Sequence, residues 1–199
     1  MGLTTLPRTI TLQDGRKIEL LLLEVSDCLG LVEFYRSLPE QDRQVLKDDV
    51  TTKEWADRFL RKVATKEIIC LVAKDGDKVV GEGSLYRSLH GWTKHVGEIR
   101  LTTARSHRRQ GLGLAMASTL VKIATDIGIE KIVVNMVENQ LGTRRTFEKL
   151  GFQKEAVLPR HVKDISGIKR DLIIMANDVS QIWAAMESMV QDYSPHSGE

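Results

Sequence analysis

Apolar residues recur along the chain with two periods, and the switches between them mark out its elements. In "RTITLQDGRKIELLLLEV" two extended stretches flank Asp14–Gly15, a strong hairpin signal. A helix is expected after Ser26 or Asp27, with Leu31, Tyr35 and Leu38 on one stripe and Pro39 soon after. In "TTKEWADRFLRKV", Thr51 and Glu54 have the spacing of a capping box, and Trp55, Phe59 and Val63 form an apolar stripe. "EIICLVAKDGDKVVGEGSLYR" reads as two strands joined at Asp75–Gly76–Asp77. "KHVGEIRLTT" is a further strand, with Glu98, Arg100 and Thr102 on one face and Ile99, Leu101 and Thr103 on the other.

Leu112, Met116, Leu120, Ile123 and Ile127 then repeat at helical spacing, and Gly128 ends the helix. "EKIVVNMV" is a β-branched strand, and "GTRRTFEKL" a short helix stopped by Gly151. "GFQKEAVLP" and "KRDLIIMAN" predict late strands. Val179, Ile182, Trp183, Met186 and Val190 predict a last amphipathic helix over 178–192, before a loose tail at 193–199. The order predicts one α/β (α+β) domain over residues 1–199. Its mixed sheet is mostly antiparallel, with a strand–helix–strand unit in the middle and helices flanking.

Composition narrows the class. A chain of 199 residues that is 42% hydrophobic and 28% charged suits one globular domain with a proper core. A net charge of +2 argues against a general nucleic-acid partner, while the local cluster "RSHRR" is enough for a small anion. Two distant cysteines, Cys28 and Cys70, make neither a disulfide scaffold nor a zinc site, and no metal is expected. Cys70 reads as a core thiol. The sequence shows no secretory leader, myristoylation pattern or membrane-length apolar run, so the expectation is a cytoplasmic protein without membrane partners.

The candidate chemistry centres on "RRQGLGLAMA", between a strand and a helix. The first turn of a helix carries unpaired N–H groups and the positive end of the dipole. Glycines let such a backbone approach a bulky anion, and Arg108 and Arg109 add charge, so the stretch suits a phosphate or pyrophosphate. It is neither a Walker loop, which needs G-x-x-x-x-G-K-[ST], nor a dinucleotide fingerprint, because Met116 stands where a third glycine belongs. A plain glycine turn into a helix is the competing reading.

"TTARSHRRQGLGLAMASTLV" resembles the acyl-CoA signature R/Q-x-x-G-x-G/A of the GNAT family of N-acetyltransferases, with Arg108, Gly111 and Gly113 at its fixed positions. "TRRTFEKLGFQKEAVL" resembles that family's next motif at a fitting distance, and the order of strands and helices extends the likeness over 66–177. The resemblance implies that the strand ending at Thr103 splays from its neighbour after "EKIVV". It implies acetyl-CoA as co-substrate, its pantetheine arm bonding like an added strand to the backbone of Leu101, Thr102 and Thr103. The pyrophosphate would sit on the N–H groups of Arg109, Gln110, Gly111, Leu112, Gly113 and Leu114. Gln140 fills a position where relatives often carry Asn, and Phe147 one where they often carry a tyrosine that protonates the leaving thiolate. Phe147 cannot donate a proton, which keeps a catalytically silent acyl-CoA sensor open as an alternative.

The implied reaction moves an acyl group from a thioester to a primary amine. A lysine-like amine, with a pKa of about 10.4, must lose a proton near neutral pH at a cost of roughly 4 kcal/mol, whereas a thiol pKa of about 8.5 makes the leaving group less demanding. A positioned base therefore matters more than an acid. Glu98 is the candidate base, with a cross-strand ion pair to Arg100 or a lysine as its competing reading. Glu82 and Tyr86, on one face of the preceding strand, are weaker candidates, and the thiolate leaves unaided or with help from Tyr86 or water. A backbone N–H near Thr102 or Thr103 would hold the oxyanion.

By the same resemblance, acceptor choice lies in the helices before residue 65 and in the loop "VLPRHVKDISGIKRD" between the last strands. Asp48 and Asp49 could meet a cationic amine or form a solvated acidic loop. His161 and Trp92 are candidates of the same standing. The acceptor is a small-molecule amine or a protein amine, a lysine or N-terminus, and the last helix leaves a homodimer open.

Overall fold

The computed structural model describes residues 6–24, 28–164 and 166–179. The N-terminal hairpin pairs β1 (Arg8–Thr11) with β2 (Lys17–Leu22) antiparallel. Helix α1 (Cys28–Ser37) buries Leu31 and Tyr35 on its expected stripe, together with Phe34. A short turn of helix, α2 (Glu40–Arg43), starts straight after Pro39 and was not evident from the periodicity. Helix α3 (Lys53–Ala64) begins one residue later than the capping box predicts. Thr52 is the cap and accepts from the Trp55 N–H at 3.2 Å. Thr51 instead donates to Asp49 Oδ1 at 2.6 Å, so its hydroxyl is spent on the preceding turn.

Strands β3 (Ile68–Asp75), β4 (Lys78–Arg87) and β5 (Val96–Thr103) continue the antiparallel meander. Helix α4 (Leu112–Asp126) crosses over to β6 (Lys131–Val137), which is parallel to β5. Helix α5 (Leu141–Lys149) leads to β7 (Gln153–Lys163) and β8 (Lys169–Asp178). The eight strands form one sheet in the order β1-β2-β3-β4-β5-β6-β8-β7. The expected last helix lies outside the described residues, apart from the buried Val179.

Each face of the sheet has its own core. On one, Leu112, Met116 and Leu120 of α4 pack with Leu85, Ile99 and Ile132. The helix lies so close to β4 that a Cβ on Gly83 would meet Leu120 Cδ1 at 2.8 Å, and the leucine would have to shift to admit it. On the other face, Phe34, Tyr35, Trp55 and Phe59 cover β3 and β4. Tyr35 meets Trp55 edge-on at 5.3 Å, and Trp55 stacks on Phe59 at 4.9 Å.

The loop expected between the last strands is mostly strand. Pro159 and His161 lie in β7, and only residues 164–168 connect it to β8. β7 is the outer strand of the sheet, so a proline there costs no central ladder bond. The register shifts between Leu158 and Val162 absorb the irregularity. There Arg160 takes φ +52° and its N–H donates to Asp171 Oδ1 at 2.7 Å.

Candidate active site

β5 and β6 pair over three residues only, Val96 with Lys131, Gly97 with Ile132 and Glu98 with Val133. Beyond Glu98 they part. β5 stays with β4, down to Thr103 opposite Gly81, and β6 stays with β8, up to Val137 opposite Leu172. The splay is the one the family resemblance implies, and the backbones of Leu101–Thr103 border the resulting wedge.

The glycine stretch follows β5 through a short 3-10 turn, Arg105–His107. Gly111 caps α4 at φ +91°, a conformation that a side chain would strain, and it offers no side-chain cap. The N–H groups of Leu112, Gly113 and Leu114 therefore open the helix without a helical carbonyl to meet them. A Cβ at Gly113 would come no nearer than 3.7 Å to Leu101 Cδ2, so the chain's own packing does not demand glycine there. That agrees with the alanine the signature allows.

The two arginines differ. Arg108 Nε and Nη2 each donate to the Thr103 carbonyl at 3.1 Å, and Nη2 reaches Asp42 Oδ2 at 2.8 Å. It braces the turn as well as charging it. Arg109 is exposed and takes φ +60°. Behind the turn, Gln13 N–H donates to the Gln110 carbonyl at 3.1 Å, and Arg16 donates to the Ser106 carbonyl at 2.8 Å. Nε2 of the buried His107 sits 2.8 Å from Arg16 Nη1 and 3.0 Å from Asp75 Oδ2. The N-terminal hairpin thus buttresses the turn.

On the opposite face of the sheet, Tyr86, Glu98 and Arg100 come together with the segment between α2 and α3. Lys47 donates to Glu98 Oε1, Arg100 Nε donates to the same oxygen at 2.9 Å, and Arg100 Nη1 reaches Asp48 Oδ2 at 3.2 Å. Burial alone would raise the Glu98 carboxyl, but hydrogen bonds and charge from Lys47 and Arg100 outweigh it and hold the group below the ordinary carboxylate value. Glu98 is thus ionised, and the ion-pair reading accounts for its surroundings. The Arg100 guanidinium lies 3.9 Å from the centre of the Tyr86 ring. Burial pushes the Tyr86 phenol well up, so its proton stays in place.

Glu82 is 2% exposed and lies deeper. Its carboxyl accepts from Tyr35 Oη at 2.7 Å, from Ser84 Oγ, and from Cys70 Sγ at 3.5 Å. Burial raises it despite those donors. Cys70 is a core thiol, as its sequence context implies, with a polar neighbour.

A cleft of about 500 Å³ lies beside β6, lined by Lys47, Asn135, Val137, Gln140 and His161 among others. Asn135 lines this cleft, and its Oδ1 is buried with no hydrogen-bond partner, an acceptor left unmet by the chain. The uncapped N–H groups at α4 suit a pyrophosphate, and the open edges of β5 and β6 suit an extended arm with amide groups, the two parts of acetyl-CoA.

Several candidates fall elsewhere. Gln140 lines the cleft, but its Oε1 already accepts from the Val137 N–H at 2.8 Å. Phe147 has no exposed surface and packs edge-on to Phe152 at 5.0 Å. Trp92 is 92% exposed in the β4–β5 connection. Asp49 caps its own turn through Thr51. The sequence reading missed Lys47, Asp42, His107 and Asn135. Only Asn135, a polar residue in the apolar run "KIVVNMV", carries a local signal.

Among the described residues, no group of three His, Cys, Asp or Glu could hold a metal, and no helix is long and apolar enough to cross a membrane.

Known proteins agree with this architecture. A family model described as the acetyltransferase (GNAT) family matches residues 31–152. The chain is 27% identical to a probable N-acetyltransferase, YjcK, of Bacillus subtilis, covering 81% of this chain and 94% of that protein. It is also 27% identical to N-acetyltransferase 8B of Rattus norvegicus, over 76% and 72% of the two chains. Among solved structures, yncA of Salmonella typhimurium, a putative acetyltransferase with its cofactor acetyl-CoA, superposes with a TM-score of 0.70 at 21% identity, covering 81% and 94%. A ribosomal-protein-alanine N-acetyltransferase of Brucella melitensis gives 0.71 at 18%, covering 80% and 98%. The chain belongs to the GNAT acetyltransferase family.

Proposed function

We propose that the protein transfers an acetyl group from acetyl-CoA to a primary amine, by direct attack of the amine on the thioester. The observation that carries this reading is the wedge between β5 and β6, which opens after Glu98 and stands beside a helix start with uncapped N–H groups. Leu112, Gly113 and Leu114, with Arg109, Gln110 and Gly111, would hold the pyrophosphate. Leu101–Thr103 would align the arm, and Asn135 would accept one of its amide protons. Glu98 would take the proton of the incoming ammonium, directly or through water. Its lowered basicity makes it a good partner for an ammonium and a weak base, so desolvation of the amine must supply part of the driving force. Tyr86, protonated and beside Arg100, could serve the departing thiolate.

A catalytically silent acyl-CoA sensor is the second reading, favoured by the fully buried Phe147 where relatives often carry a tyrosine. Calorimetry with acetyl-CoA, followed by thiol release across a panel of small amines and peptides, separates them. Binding with turnover supports the transferase, and binding without turnover supports the sensor. No binding at millimolar ligand removes both.

A further inference from the structure

We propose that Lys47 is itself an acyl acceptor, and that the chain acetylates it in an intramolecular reaction at Glu98. This rests on the acetyl-CoA-dependent reading above and names one acceptor for the same site. Lys47 Nζ donates to Glu98 Oε1, so a primary amine of this chain already sits where an incoming amine would meet the base. Lys47 also lines the cleft beside β6 that holds the orphan oxygen of Asn135. Its side chain is 35% exposed, so the ammonium can turn from the carboxylate toward the cleft.

A lysine that served only to neutralise Glu98 would duplicate Arg100, whose Nε reaches the same oxygen at 2.9 Å. The segment carrying Lys47 is also tied down on both sides. Asp42 pairs with Arg105 at 2.9 Å and with Arg108 at 2.8 Å, and Asp48 pairs with Arg100 at 3.2 Å. The amine is thus delivered by its own chain, and no second molecule has to be ordered to bring it there.

The step balances without a further reagent. The Lys47 ammonium loses one proton to Glu98, which passes it to solvent. The freed Nζ pair forms the N–C bond to the acetyl carbon, and the C–S bond breaks with its electrons on sulfur. The second Nζ proton ends on that sulfur, leaving an amide on Lys47 and a free thiol. The amide carries no charge, so Glu98 retains only Arg100 and becomes available to other amines.

The test incubates the full chain with acetyl-CoA and no added amine, and maps acetylated peptides by mass spectrometry over time. Acetylation of Lys47 is expected at least tenfold faster than at the exposed Lys94, with a rate constant independent of protein concentration. Glu98→Gln should slow Lys47 at least tenfold and leave Lys94 unchanged, and Lys47→Arg should remove this product while keeping the ion pair. If acetyl-CoA binds by calorimetry but Lys47 reacts no faster than Lys94, or at a rate that rises with protein concentration, the proposal is overturned, and the amine panel still decides between transferase and sensor. If acetyl-CoA does not bind, both fall.

Discussion

The two sides of the β5–β6 wedge are made of different materials. Toward α4 the site is backbone: uncapped N–H groups, a glycine at φ +91° and a turn braced from behind by Arg16 and His107. Toward α1 and α3 it is side chain: Glu98, Arg100, Lys47 and Asp48, each already paired with another. Backbone donors neither titrate nor change rotamer, so that side is ready for any ligand with the right phosphate. On the proposed reading the charged side trades one ion pair for another before it admits an amine, so donor binding would be generic and acceptor choice a competition with the chain's own charges.

The largest effect should come from breaking the backbone side. At Gly111 an added Cβ meets no heavy atom within 4 Å, so in the free protein Gly111→Ala costs mainly the strain of a positive φ, about 1–2 kcal/mol. Acetyl-CoA affinity should fall about 100-fold by calorimetry, equivalent to about 2.7 kcal/mol, because the N–H groups lose their aim.

On the charged side, Glu98→Gln should lower kcat about 10–100-fold with acetyl-CoA affinity unchanged within about threefold. It also carries a pH signature. The folded pKa of Glu98 lies below its unfolded value, so its pairs stabilise the fold above the ordinary carboxylate pKa and cease to do so as pH falls through the lowered one. The stability gap between native and Glu98→Gln protein should be widest at neutral pH and shrink in thermal melts as pH falls from the ordinary carboxylate value through the lowered one. Glu82 has the opposite sign. Its raised folded pKa takes stability away as pH rises from the ordinary carboxylate value through the folded one.

Tyr35→Phe removes a 2.7 Å donor from that buried carboxyl and leaves an oxygen unmet, which should cost about 1–3 kcal/mol. Each kcal/mol corresponds to about 2–4 °C in a melt for a chain of this size. Trp92→Ser should be smallest, within about 0.5 kcal/mol in a melt, because its indole is 92% exposed.

The same contrast explains what the sequence reveals. The glycine turn is legible because its parts are local: Gly111, Gly113 and the start of α4 lie within a few residues. So are the strands, whose two-residue alternation correctly puts Glu98, Arg100 and Thr102 on one face. The charged side is illegible because its partners come from afar. Lys47 and Glu98 are 51 residues apart, and Asp42 and Arg108 are 66 apart, so no short pattern joins them. Thr51 and Thr52 show a finer limit. Either could cap α3, and Asp49 decides by engaging the first. In β7, the bulge that accommodates Pro159 depends on its outer position, which only the sheet order supplies.

The short β5–β6 ladder has one further consequence, for self-association. Unpaired strand edges usually sit at the rim of a sheet, where a neighbouring molecule can zip onto them and start an aggregate. Here two such edges face each other inside the sheet, each backed by a paired strand, β4 or β8. A strand that belongs to another sheet brings neighbours that β4 and β8 would obstruct, so this open hydrogen-bonding capacity lies at the centre of the sheet, where strand addition meets more hindrance than at the rim.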